Sequence, residues 1–107
     1  TLQRAGQWLL HSGIQSENGG VARYYRSDLA ANLPISTEIT GYALSGFCYL
    51  FAGTGDEEYL RAAQRSARFL VEEAWDQESG TMPFEVSGSA RYSYFFDCGI
   101  IARALLA

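Results

Sequence analysis

The chain has 107 residues, of which 48% are hydrophobic and 14% aromatic, and this is enough for the core of one small globular domain. Its formal net charge is −4. The eight basic residues are all arginines and form no dense cluster, which argues against nucleic acid as a partner. No apolar run approaches the ~18 residues that a membrane-spanning helix needs, so no membrane partner is indicated either.

The first predicted helix covers residues 2–13, where apolar side chains recur at helical spacing. Gly13 can end this helix in a left-handed conformation. A long connection over residues 15–35 follows, with a turn at residues 18–20 and a short extended piece at residues 21–25. Connections of this length inside a small domain are usually functional.

The second predicted helix covers residues 37–52, with Ser36 or Thr37 as its N-cap and Gly53 as its stop. Nearly all of its residues are apolar, which is typical of a helix that is buried on all sides. The third covers residues 56–74 and begins at Asp56. Its apolar residues recur at steps of three and four with charged residues between them, so one face is expected to meet solvent.

A second long connection, residues 75–91, leads into a last predicted helix at residues 94–107. This helix is apolar like the second and has no Gly, Asn or Pro to end it. The chain therefore looks like a piece of a longer one. Self-association of the piece through its uncovered apolar helix is expected.

The chain nearly repeats itself with a period of about 60 residues. Each unit, at about residues 2–53 and 56–107, contains an amphipathic helix, a long connection and an apolar helix. Repeats of this kind bury their apolar faces on one another in stacked or ring-like arrays. The sequence thus predicts an all-α fold of antiparallel helical hairpins, forming a single partial domain over residues 1–107.

Cysteine and histidine residues give no sign of a metal site. Cys48 and Cys98 lie in or beside apolar helices and have no Cys or His neighbour at zinc-ligand spacing. They are interpreted as buried thiols rather than as a disulfide or a nucleophile. No motif indicates a cofactor or a metal, and no signal in the chain indicates its compartment.

Three strings resemble segments of the six-hairpin glycosidase-like superfamily, whose members form α/α toroids. They are EITGYAL at residues 38–44, AGTGDEEYL at residues 52–60 and FDCG at residues 96–99. The resemblance covers nearly the whole chain but only about two of the hairpins of a complete ring. It implies a funnel lined by the connections, with substrate bound near the N-termini of the inner helices.

Glu38 and Asp97 fall at corresponding places in the two units, in the first turns of the apolar helices. Helix N-termini favour carboxylates and hydroxyl-rich ligands. In glycoside cleavage one of these acids would serve as general acid and the other as base or nucleophile. The alternative is structural: Glu38 complements the helix dipole, and Asp97 bonds neighbouring amides.

Several side chains on or beside the connections are candidate substrate-binding residues. Aromatic rings there could stack on sugars, and arginines could hold the carboxylate of an acidic sugar. The predicted substrate-binding residues are Arg23, Tyr24, Tyr42, Phe84 and Arg91; Tyr25, Arg26, Tyr92 and Tyr94 lie beside them in the sequence. The alternative for the aromatic residues is packing in the core.

The resemblance and the acid pair together predict part of a carbohydrate-processing α/α-toroid protein, either a glycoside hydrolase or a sugar epimerase-like enzyme. A non-catalytic helical-repeat binding module is the alternative, although such arrays usually have short turns rather than long connections. A toroid like those of terpenoid cyclases or prenyltransferases is a further alternative. It would need Asp-rich metal ligands or Cys/His zinc ligands, which this sequence lacks.

Overall fold

The computed structural model describes residues 1–86 and 92–107. In these ranges the chain is mostly helical, as the sequence predicts at the level of fold class. The four α-helices are α1 (Leu2–His11), α2 (Thr37–Thr54), α3 (Glu57–Arg68) and α4 (Phe95–Leu105). None of these helices, within the described ranges, combines the length and apolarity needed to cross a bilayer.

Two smaller elements accompany the helices. A π-helical segment, Phe69–Ala74, continues α3 without a break. In the first connection, strands β1 (Tyr25–Arg26) and β2 (Ala31–Asn32) form a short antiparallel hairpin. The fold is therefore helical with a small two-stranded element, which the sequence pattern did not predict.

The helix starts follow the local sequence. Ser36 caps α2 by accepting a hydrogen bond from the amide of Ile39 at 3.3 Å, and Asp56 caps α3 by accepting one from Glu58 at 2.9 Å. The predicted stop of α2 at Gly53 is wrong. The helix ends at Thr54, because Gly55 adopts the left-handed conformation with φ of 71° and donates its amide to the Phe51 carbonyl at 2.8 Å.

Helix α2 lies at the centre of the packing and contacts both α3 and α4. The two-residue turn between α2 and α3 makes these helices an antiparallel hairpin. Gly41 allows α4 to approach closely, since a Cβ there would lie 3.2 Å from Cγ1 of Ile101. Burial of α2 on all sides is not observed: Tyr42 is 43% exposed and Tyr49 67% exposed, because no described element covers their face.

Both long connections are fastened to the first turn of α2. The Thr40 hydroxyl accepts a hydrogen bond from the Val21 amide at 2.9 Å, which holds the first connection. The Thr37 hydroxyl donates to the Pro83 carbonyl at 2.8 Å, which holds the second. The N-terminus of α2 is therefore the place where the two connections meet.

The two cysteines are free thiols, and each is partly buried. Cys48 lies within α2 and Cys98 within α4. No disulfide links them, as the sequence interpretation expected.

Candidate functional site

A cavity of about 480 Å³ lies between α1, the first connection and α2. Its volume falls within the range of small-molecule sites, roughly 300–1,000 Å³. Four aromatic side chains line it, with exposed fractions between 43% and 56%: Trp8, Tyr24, Tyr25 and Tyr42. The remaining lining is largely aliphatic. We call this the aromatic cavity, because it presents four aromatic rings that no described residue covers.

Three of the predicted substrate-binding residues share this cavity: Arg23, Tyr24 and Tyr42 all line its wall. Trp8 also lines it, and sequence reasoning missed this residue because it belongs to α1 rather than to a connection. The available signal was its place on an amphipathic helix that ends just before the first connection.

Arg23 joins the cavity to a second group of residues. Its guanidinium forms an ion pair with Glu85 and lies over the Phe84 ring at 5.3 Å from the ring centroid. Phe84 in turn contacts Tyr94 edge to face, with centroids 5.6 Å apart. Phe84 is thus placed against Arg23 and does not line the aromatic cavity itself.

Asp97 lies in the first turn of α4 and is only 8% exposed. Among the described residues its carboxyl group has no hydrogen-bond or ion-pair partner, so it does not bond the neighbouring amides. Burial raises the pKa of Asp97, and the positive charge of Arg23 opposes part of that rise. Asp97 therefore keeps its proton to higher pH than an ordinary aspartic acid does.

Glu38 lies in the first turn of α2 and is partly buried. It makes no hydrogen bond or ion pair to any described residue, and it does not line the aromatic cavity. The first turns of α2 and α4 approach the same segment of the second connection: the Thr37 amide donates to the Phe84 carbonyl at 3.0 Å, and the Cys98 thiol to the Met82 carbonyl at 3.9 Å. A shared cavity for Glu38 and Asp97 stays a prediction.

The arginines of the first connection already have acidic partners. Arg23 is paired with Glu85, and Arg26 with Asp28. Glu85 is a residue that sequence reasoning missed, although it directly follows Phe84 in the chain. Arg91, the remaining predicted substrate-binding residue, lies outside the described residues.

Across residues 1–86 and 92–107, no three His, Cys, Asp or Glu side chains lie close enough together to hold a metal ion. Comparison of the chain with protein-family models, with curated proteins and with solved structures finds no match.

Proposed function

We propose that this chain supplies a saccharide site to a carbohydrate-processing protein of the α/α-toroid type, a glycoside hydrolase or a sugar epimerase-like enzyme. The observation that carries this proposal is the aromatic cavity, whose lining residue Arg23 also acts through its charge on the pKa of Asp97. Sugar rings have apolar C–H faces that stack on aromatic rings, and they have hydroxyl groups at their edges. A cavity with four exposed aromatic side chains offers the first kind of contact.

The paired arginines favour a neutral sugar over an acidic one. A substrate carboxylate at Arg23 or Arg26 would lie close to the negative charge of Glu85 or Asp28, and like charges repel. A neutral sugar meets no such repulsion. The site is therefore expected to bind neutral saccharides in preference to acidic ones.

In hydrolysis, Asp97 would serve as the general acid. Its raised pKa keeps the carboxyl protonated closer to neutral pH, and the proton passes to the oxygen of the departing sugar as the glycosidic bond breaks. Glu38 would supply the second carboxylate, which takes a proton from water as that water adds to the anomeric carbon. Alternatively, Glu38 attacks this carbon and forms a glycosyl ester, which water then hydrolyses while Asp97 accepts the proton of that water. Arg23 limits the rise in the pKa of Asp97, so the group can lose its proton during turnover.

The test is turnover of neutral glycosides by the wild type, Asp97→Asn and Glu38→Gln. Each variant is expected to lower kcat by roughly 10²- to 10⁴-fold, as removal of a positioned acid or base does. Glu72→Gln is the matched control, because Glu72 lies on the exposed face of the π-helical segment, and its kcat should be unchanged. Unchanged kcat in both test variants would overturn the catalytic assignment. Saccharide binding without turnover by the wild type would favour the non-catalytic binding module.

A further inference from the structure

A second, smaller cavity adjoins the aromatic cavity where the hairpin of β1 and β2 meets the end of α1. Its volume is about 290 Å³, and it is lined by Trp8, Ser12, Ile14, Tyr25 and Asn32. We call it the hairpin cavity. Three of these residues, Trp8, Ile14 and Tyr25, also line the aromatic cavity. A ligand that extends beyond the aromatic cavity on this side therefore enters the hairpin cavity.

The pairing of the two strands explains which side chains the hairpin contributes. Tyr25 of β1 lies directly opposite Asn32 of β2, and side chains at directly opposite positions share one face of an antiparallel pair. Successive side chains of a strand point to opposite faces, so the neighbouring Arg26 is directed to the other face. The hairpin thus contributes one aromatic ring and one amide, and none of the described residues that line the hairpin cavity carries a charge.

Two polar side chains in the lining are held in place by hydrogen bonds to the backbone. The Asn32 amide nitrogen donates to the Gly13 carbonyl at 3.0 Å, and the Ser12 hydroxyl oxygen accepts the amide of Ile14 at 3.3 Å. Among the described residues, the Asn32 side-chain oxygen has no donor and the Ser12 hydroxyl hydrogen has no acceptor. One acceptor and one donor are therefore available to a ligand in the hairpin cavity, and a sugar hydroxyl group can serve as the partner of either.

The size of the hairpin cavity suits a single sugar unit. At roughly 30 Å³ for each water-sized group, it has room for about ten such groups, which is close to the size of one sugar residue. Trp8 and Tyr25 are 56% and 54% exposed, so their rings are available for stacking on such a unit. The hairpin cavity thus combines aromatic surface with uncharged hydrogen-bonding groups.

We propose that the hairpin cavity binds a second neutral sugar unit next to one in the aromatic cavity, so that this site takes oligosaccharides in preference to monosaccharides. The inference rests on the proposed saccharide site and adds the length of its ligand. Once the first unit is bound, the second is already close to the hairpin cavity, and its contacts require no second loss of translational freedom. An oligosaccharide therefore gains affinity from both cavities.

The test is isothermal titration calorimetry of the wild-type chain. The ligands are glucose, galactose and mannose, and neutral disaccharides of these sugars in both anomeric linkages. At least one disaccharide is expected to bind about tenfold more tightly than the monosaccharides that compose it. Monosaccharides are expected to occupy the aromatic cavity, which has more aromatic surface.

Asn32→Ala and Ser12→Ala test the hairpin cavity separately. Each should raise the dissociation constant of that disaccharide by about 3- to 10-fold, because one hydrogen bond to the second sugar unit is lost. Neither variant should change the dissociation constants of the monosaccharides. Ser27→Ala is the matched control, since Ser27 is exposed in the turn of the same hairpin but lines neither cavity, and it should change neither affinity. Circular dichroism checks that the variants stay folded.

The outcomes separate this inference from the proposed function. Equal dissociation constants for disaccharides and monosaccharides would overturn the second sugar position but leave the aromatic cavity as a saccharide site. If Asn32→Ala and Ser12→Ala weakened monosaccharides as much as disaccharides, or weakened neither, the hairpin cavity would not be that position. Binding of no saccharide at all would overturn the proposed function, and this inference with it.

Discussion

Asp97 is a residue whose protonation the fold changes. Burial raises its pKa from the ordinary value of 3.8, so the folded protein binds this proton more tightly than the unfolded chain does. Between the ordinary and the raised pKa, the unfolded chain has lost the proton while the folded protein still holds it. The contribution of Asp97 to the free energy of unfolding therefore falls as pH rises through this window.

The Asp97→Asn substitution removes the titrating carboxyl group. We expect the free energy of unfolding of the variant to lose the pH dependence that Asp97 contributes. Urea denaturation at a series of pH values from about 4 to 7 measures it, with Glu72→Gln as the control acid. The difference in the free energy of unfolding between Asp97→Asn and the wild type should increase in favour of the variant as pH rises. A difference that stays constant with pH would contradict a raised pKa for Asp97.

Gly19 is a residue for which both conformation and space require glycine. Its φ is +95°, and a Cβ would lie 2.1 Å from the carbonyl oxygen of Arg65. The Gly19 carbonyl also accepts a hydrogen bond from the buried Ser66 hydroxyl at 2.9 Å. This turn is therefore pressed against α3, and it fixes the start of the first connection.

Gly19→Ala should destabilise the protein more than Gly13→Ala does. Gly13 is the matched control, because its φ is +80° but no atom lies within 4 Å of its Cβ position. Backbone strain alone costs about 1–2 kcal/mol, and a steric clash with backbone atoms adds about 1–3 kcal/mol. The free energies of unfolding from chemical denaturation provide the comparison. Equal losses in the two variants would contradict the close contact with Arg65.

At the scale of elements, a threonine near the start of α2 and a threonine at its end make similar hydrogen bonds within the helix but differ in their other contacts. Thr40 and Thr54 each donate their hydroxyl to the carbonyl four residues earlier, at 2.7 Å in both cases. Thr40 is fully buried and also accepts the amide of Val21, whereas Thr54 is exposed and accepts the amide of Asp56 at 3.2 Å within the turn that follows α2. Of these two threonines, only Thr40 holds a long connection against the helix.

Thr40→Val is expected to lower the free energy of unfolding by about 1–3 kcal/mol, because the buried amide of Val21 would lose its acceptor. Thr54→Val should change it by less than about 0.5 kcal/mol, as exposed substitutions usually do. Thermal or urea unfolding measures both. If Thr54→Val cost as much as Thr40→Val, the contact with Val21 would not be what holds the first connection.

The helices were predictable where the chemistry is local. Asp56 was expected as an N-cap, and so was either Ser36 or Thr37, of which the structure shows Ser36. Gly13 was expected to adopt a left-handed conformation, and its φ of +80° confirms this. The π-helical segment was not predictable, because the apolar spacing of residues 56–74 continues through it. The wider turn is seen only in the structure, where the Trp75 amide donates to the Leu70 carbonyl at 3.1 Å.

The candidate site was predictable only in part, for reasons that belong to the whole molecule. Arg23, Tyr24, Tyr42, Phe84 and Arg91 were grouped from their positions on or beside the two connections, and the structure brings the first three to one cavity. Trp8 and Glu85 enter the site from α1 and from the second connection. Their approach depends on tertiary packing that sequence spacing does not encode. The described chain measures 38 × 36 × 21 Å, and its thinnest direction is about two helix diameters. Because only about two helices fit across this direction, segments that are distant in the sequence lie side by side at one surface.

Trp8 offers a direct probe of saccharide binding. It lines the aromatic cavity and is 56% exposed, whereas Trp75, the other tryptophan, does not line that cavity. In a Trp75→Phe variant, all tryptophan emission comes from Trp8. A sugar that stacks in the cavity would change the polarity around this single ring.

The deciding measurement is a fluorescence titration of Trp75→Phe with neutral mono- and disaccharides. We expect a saturable change in Trp8 emission, and a dissociation constant raised about tenfold by Tyr42→Ala, since loss of one stacking ring costs about 0.5–1.5 kcal/mol beyond its buried area. Uronic acids should bind no more tightly than the neutral sugars, because Arg23 and Arg26 are already paired. A change in Trp8 emission that does not saturate with saccharide concentration would contradict a saccharide site in this cavity. The same dissociation constant with and without the Tyr42→Ala substitution would contradict it as well.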